Sequence, residues 1–65
     1  MSDQPAILRY FEYDHLPENL QSLSMRFHGL AHKMVDDLPF NAELSAGLRK
    51  LLEAKDCFVR AALDL

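Results

Sequence analysis

Residues 16–36 read LPENLQSLSMRFHGLAHKMVD and residues 42–63 read AELSAGLRKLLEAKDCFVRAAL, with Asp37-Leu38-Pro39-Phe40-Asn41 between them. Each long stretch carries one apolar stripe. The first is Leu16, Leu20, Leu23, Phe27, Leu30, Ala31 and Met34; the second is Leu44, Leu48, Leu51, Leu52, Val59 and Ala62. Steps of three and four put each set on one face of an α-helix. The spacing therefore predicts helix one over 16–36 and helix two over 42–63. Pro17 suits the first turn of a helix, where its missing N–H costs nothing, and Glu18 beside it favours the positive end of the dipole. Leu38 precedes Pro39 and so avoids helical geometry, which stops helix one. Asn41 is a good N-cap for helix two, and Glu43 falls in its first turn. A connection this short makes the helices antiparallel neighbours. The predicted fold class is all-α: one helical-hairpin domain over 1–65.

Outward from the hairpin, residues 1–5 are polar and predicted to fray. Ile7, Leu8, Tyr10, Phe11 and Tyr13 crowd the next eight residues. That stretch is too short for a stable isolated helix. Residues 1–13 thus read as an arm or single-turn helix docked on the hairpin or on a neighbouring copy. Tyr10, Phe11 and Tyr13 either staple the arm down or stack on a base. Chains of this size bury only about 60% of their unfolded surface. With 65 residues and one cysteine, Cys57, no internal disulfide is available. No metal cluster is evident either, so association of several copies is the remaining route to stability.

Composition sets the outer limits. About half the residues are hydrophobic, too many for a disordered chain. A formal net charge of −3 argues against wrapping long nucleic acid, which rewards a basic surface. It leaves room for a small anion held by a few local cations. The lone cysteine fits a reducing compartment. No charged-then-apolar leader opens the chain, and no run approaches the ~18 apolar residues of a membrane span. The expectation is a soluble intracellular protein.

Three features stand apart from the stripes. Lys55 falls near the centre of the second stripe, where an unpaired ammonium is very costly. It pairs with a carboxylate across an oligomer interface, Asp14 or an Asp of the loop, or it lines a pocket for an anionic ligand. Arg49–Glu53 and Asp56–Arg60 are opposite charges at four-residue spacing, which reads as a solvated ion-pair ladder on an outer face. Arg60 is also suited to phosphate recognition. His28 and His32 lie four apart, a spacing that suits zinc. The segment His28-Gly29-Leu30-Ala31-His32 lacks the acidic residue beside the first histidine that a metalloprotease motif carries, so no metal is assigned. No glycine-rich phosphate loop occurs. Neither a serine nor Cys57 sits at catalytic spacing from a histidine, and the chain is read as having no catalytic residue and no cofactor.

Two motifs carry a family resemblance. Tyr13-Asp14-His15-Leu16 matches a Tyr-x-x-Leu element that opens a first long helix. Leu51-Leu52-Glu53-Ala54-Lys55-Asp56-Cys57-Phe58-Val59-Arg60-Ala61 matches a Leu-x-x-small-x-x-x-apolar-x-Arg-Ala element that closes a second. In these and in layout the chain resembles the small phage-encoded anti-CBASS sponges, whose hairpin domain is shared with a Thoeris anti-defence protein. The resemblance implies a homo-oligomer, a homohexamer in the family, acting in the host cell cytoplasm. Such proteins sequester cyclic di- and trinucleotide immune signals without cleaving them. It further implies that Tyr13 stacks on a base and that His28, standing where the family carries a lysine, contacts phosphate. Arg60 would serve a separate cyclic trinucleotide site near a threefold axis. Lys55 stands where the family is apolar, so no role carries over to it.

Helix rise places Tyr13, just before helix one, about 20 Å from His28 on the same chain. One ligand touching both would then draw them from different protomers, at an interface between copies. Two readings compete with sequestration. One is a small helical protein that binds and inhibits a host protein, with Met25 and its neighbours buried against that partner. The other is a metal-dependent enzyme using the histidines.

Overall fold

The hairpin turns where the stop and start signals coincide. Leu38 is extended before Pro39 (φ −116°, ψ 151°), and its N–H still reaches the Met34 carbonyl at 3.1 Å. Asn41 then opens the second helix. Its side-chain oxygen accepts from the Leu44 N–H at 2.9 Å, satisfying one of the four N–H groups a helix start leaves free. A cap of this kind contributes about 1 kcal/mol. In the computed structural model, which describes residues 5–64, α1 spans Glu18–Asp37 and α2 spans Ala42–Ala62. Residues 1–4 of the expected arm, and residue 65, lie outside the described residues.

Helix α1 begins two residues later than the stripe suggests. Pro17 is its N-cap rather than part of its first turn, with ψ at 150°, and its carbonyl accepts from the N–H groups of Leu20 and Gln21. Leu16, counted in the first stripe, therefore stands outside the helix. Among the described residues every regular element is helical, and no helix is long and apolar enough to cross a membrane.

The arm docks on its own hairpin. Ala6–Phe11 forms a six-residue 3-10 helix packed against both α1 and α2. Leu8 and Phe11 point inward, and Phe11 is completely buried. Together with Ala31, Leu44 and Leu48 they make the core, flanked by Ile7, Phe27, Val35, Leu51 and Leu52. Ala31 is small enough to let the arm approach α1. The aromatic cluster thus divides: Phe11 is the staple, Tyr10 is 53% exposed, and Tyr13 is half-buried.

Lys55 holds the arm from the other side. Its stem is buried, and its Nζ donates to the Tyr10 carbonyl at 2.7 Å. The expected carboxylate partner across an interface is replaced by a carbonyl of the same chain. The physical reason is that the last carbonyls of a short helix have no internal partner, and a cation is well placed to bond them. A lysine in an apolar stripe is thereby accounted for: its methylenes pack against the core and its head meets the arm.

The stripes are only partly covered. Leu30 and Met34 of the first stripe and Ala62 of the second, expected in the core, are exposed. Phe58 is exposed as well, although its ring stacks on Phe27 with centroids 5.7 Å apart. Leu30, Met34, Leu38, Pro39, Leu44, Leu48 and Leu51 instead line an open apolar groove of about 510 Å³ beside the hairpin turn. The expected ion-pair ladder on α2 is not formed. Among the described residues the one ion pair is Lys33–Asp37 on α1, at 3.2 Å and largely solvated. Such pairs are worth only tenths of a kcal/mol to about 1 kcal/mol, so solvent competes with them easily.

Candidate nucleotide-binding site

Tyr13 and His28 meet within one chain. Their rings are edge to face with centroids 5.1 Å apart. The expected separation of about 20 Å rested on placing Tyr13 beyond the end of α1 along its axis. The chain instead leaves the 3-10 helix beside the middle of α1 and runs back along it. A turn follows, in which the Leu16 N–H bonds the Tyr13 carbonyl at 3.0 Å. Gln21 pins that turn to the helix, donating through Nε2 to the Leu16 carbonyl at 2.8 Å and to the Asp14 carbonyl at 3.4 Å. The requirement for two protomers to bring Tyr13 to His28 is therefore removed.

His32 extends the cluster by one helical turn, its ring centroid 4.3 Å from that of His28. Both histidines open onto a trench of about 410 Å³ between the arm and α1, whose other walls are Pro5, Ala6, Leu8, Arg9 and Glu12. Arg9 lies over the Tyr10 ring at 5.2 Å and donates to the Tyr10 hydroxyl at 3.2 Å. That hydrogen bond, reinforced by the charge of Glu12, holds the exposed guanidinium still more firmly in its charged form. The trench thus brings together a cation, two imidazoles and one carboxylate, and the half-buried Tyr13 touches one of those imidazoles, that of His28.

Behind the trench, Ser24 Oγ and His28 Nδ1 are both buried without a hydrogen-bond partner. They lie one turn apart on the same face of α1. Burial of Nδ1 leaves Nε2 as the nitrogen that His28 turns toward the trench. An unsatisfied buried hydroxyl costs about 1–3 kcal/mol, and alanine removes it with little change in volume. Ser24→Ala is accordingly expected to stabilise the chain by about 1 kcal/mol, raising the melting temperature by roughly 4–8 °C for a domain of this size. Thermal unfolding followed by circular dichroism reads this. A fall in melting temperature would mean that the hydroxyl has a partner in the assembled protein.

The remaining candidate residues lie elsewhere. Arg60 is exposed near the end of α2, where its guanidinium donates to Cys57 Sγ at 3.3 Å. It does not line the trench. Lys55 also stands outside the trench, with its ammonium on the Tyr10 carbonyl. Among the described residues no three or more His, Cys, Asp and Glu side chains are arranged to hold a metal ion. Sequence reasoning singled out His28 and His32 by their spacing but passed over Arg9 and Glu12. The signal available for those two was their place among the aromatic residues of the arm. Compared with protein-family models, with curated proteins and with solved structures, the chain gives no match.

Proposed function

We propose that this chain is a viral anti-defence protein that binds cyclic di- and trinucleotide immune signals and sequesters them without cleaving them. The observation that carries this reading is the meeting of Tyr13 and His28. A half-buried aromatic ring beside an outward-facing imidazole offers stacking to a base and a donor to a phosphate. The two sequence motifs that resemble the sponge family give the ligand class. In this reading Tyr13 stacks on a base, His28 contacts phosphate, Arg60 serves a second site, and Lys55 acts on binding only by anchoring the arm.

The active form in this reading is a homo-oligomer, with six copies the number that the resemblance implies. A cyclic dinucleotide has two bases and two phosphates, and one Tyr13 stacks on one base. Two-fold-related copies supply the second. Isothermal titration calorimetry with a panel of cyclic di- and trinucleotides tests the reading. It predicts saturable binding to at least one of them, and release of the ligand chemically intact after heating. No binding across the panel, or recovery of linear products, contradicts it.

A second reading has its own observation. The apolar groove at Leu30, Met34, Leu38, Leu44, Leu48 and Leu51 fits a small helical protein that docks on and inhibits a host protein, and Met25 is exposed elsewhere on α1. Its mark is a groove that stays solvent-exposed in the purified protein and a chain indifferent to nucleotides.

A further inference from the structure

We propose that Arg9, His28 and His32 together form a proton-linked seat for a phosphate group in the trench between the arm and α1. The proposal rests on the cyclic-nucleotide reading above for the identity of the natural ligand. The geometry of the seat stands on its own.

The two imidazoles are the core of the argument. With ring centroids 4.3 Å apart, they repel each other if both are charged and nothing lies between them and solvent. Among the described residues the groups facing them are few. The arm contributes Arg9 and Glu12, the turn after it contributes the Tyr13 ring, and α2 contributes no residue to the trench walls. Arg9 and Glu12 bring opposite charges to the trench. An anion in it accepts from both imidazoles and from the guanidinium. His28 Nδ1 is buried without an acceptor, so His28 stays neutral and donates through Nε2, and the proton is taken up at His32. Arg9 and protonated His32 against Glu12 then leave one net positive charge, matching one phosphodiester, and a two-fold-related copy supplies a second seat for the other. Binding then takes up protons from solvent, and linkage requires affinity to fall as pH rises through the range in which imidazole titrates.

Two structural details direct the contacts. His28 Nδ1 is buried, so its trench-facing donor is Nε2–H. Among the described residues Arg9 is tethered to the exposed Tyr10, so its guanidinium can swing to a ligand without disturbing the core. The family resemblance assigns a role to neither Arg9 nor His32.

The test uses the full chain, labelled with ¹⁵N, and follows its imidazole signals by NMR between pH 5.5 and 8.5. The probe is inorganic sulfate, whose double charge is constant over that range, against chloride at equal ionic strength. His15 is exposed on the turn and serves as the internal control. The titration midpoint of His32 is expected to rise with sulfate while that of His15 stays put, and the His28 Nε2 signal is expected to shift. Affinity at pH 6 is expected to be at least about tenfold that at pH 8. His32→Gln should lose most of that pH dependence, and Arg9→Gln, on an exposed side chain, should weaken binding at both pH values. An unmoved His32 midpoint, or an equal shift at His15, overturns the seat. The outcomes separate the two claims. A sulfate response in a chain that ignores every cyclic nucleotide keeps the seat and removes sequestration. Cyclic dinucleotide binding equally tight at pH 6 and pH 8 keeps sequestration and removes the seat.

Discussion

Phe11→Ala is expected to abolish the folded state at room temperature. Phe11 is completely buried at the point where the arm, α1 and α2 converge, packed with Leu8, Ala31, Leu44 and Leu48. Truncating a buried phenylalanine to alanine costs about 3–5 kcal/mol. A 65-residue chain at typical stability per residue holds only about 3–10 kcal/mol in total. The loss is therefore comparable with the whole. Losing the arm also breaks the hydrogen bond from Lys55 Nζ to the Tyr10 carbonyl. Helical signal at 222 nm against urea measures this, with Tyr10→Ala as the comparison, since Tyr10 is more than half exposed. A Phe11→Ala midpoint equal to that of the parent chain would mean that the hairpin is stable without its arm.

The second large effect is on binding. Tyr13→Ala is expected to weaken a cyclic dinucleotide by roughly 5- to 150-fold, the range that follows from about 1–3 kcal/mol per stacked base. Tyr13→Phe keeps the aromatic face and is expected to remain near the parent affinity. The Tyr13 ring is half-buried and touches His28 at its edge, so its removal also frees the imidazole to reorient. The phenylalanine variant separates the two effects, because it preserves the edge contact. Calorimetry on both variants, with the fold checked by circular dichroism, reads the difference. An unchanged affinity in Tyr13→Ala would place the base elsewhere.

The hairpin was legible because its signals are local. The three- and four-residue steps of Leu44, Leu48 and Leu51, the cap at Asn41 and the stop at Leu38-Pro39 each act within one or two turns, and helix ends landed within two residues. What escaped was tertiary. Nothing local tells that the chain doubles back after Phe11, and that single reversal turned a separation of about 20 Å into a contact between Tyr13 and His28. Lys55 shows the same limit. Its misfit in an apolar stripe was plain, but a backbone carbonyl 45 residues away as its acceptor leaves no trace in sequence spacing. Leu30 and Met34 belong to the stripe by period, yet the arm is too short to cover them, so they line an open groove instead. Of the site, His28 and His32 were visible as a pair four apart, whereas Arg9 joins them only because the arm lies along α1.

The central claim is that assembled copies hold a cyclic oligonucleotide intact. Native mass spectrometry of the purified chain, alone and with cyclic di- and trinucleotides, addresses it most directly. The account predicts a discrete oligomer, a hexamer by the resemblance, that gains whole-number equivalents of at least one ligand and releases it at unchanged mass. A chain whose mass, assembled or not, is unaltered by every member of the panel would contradict it.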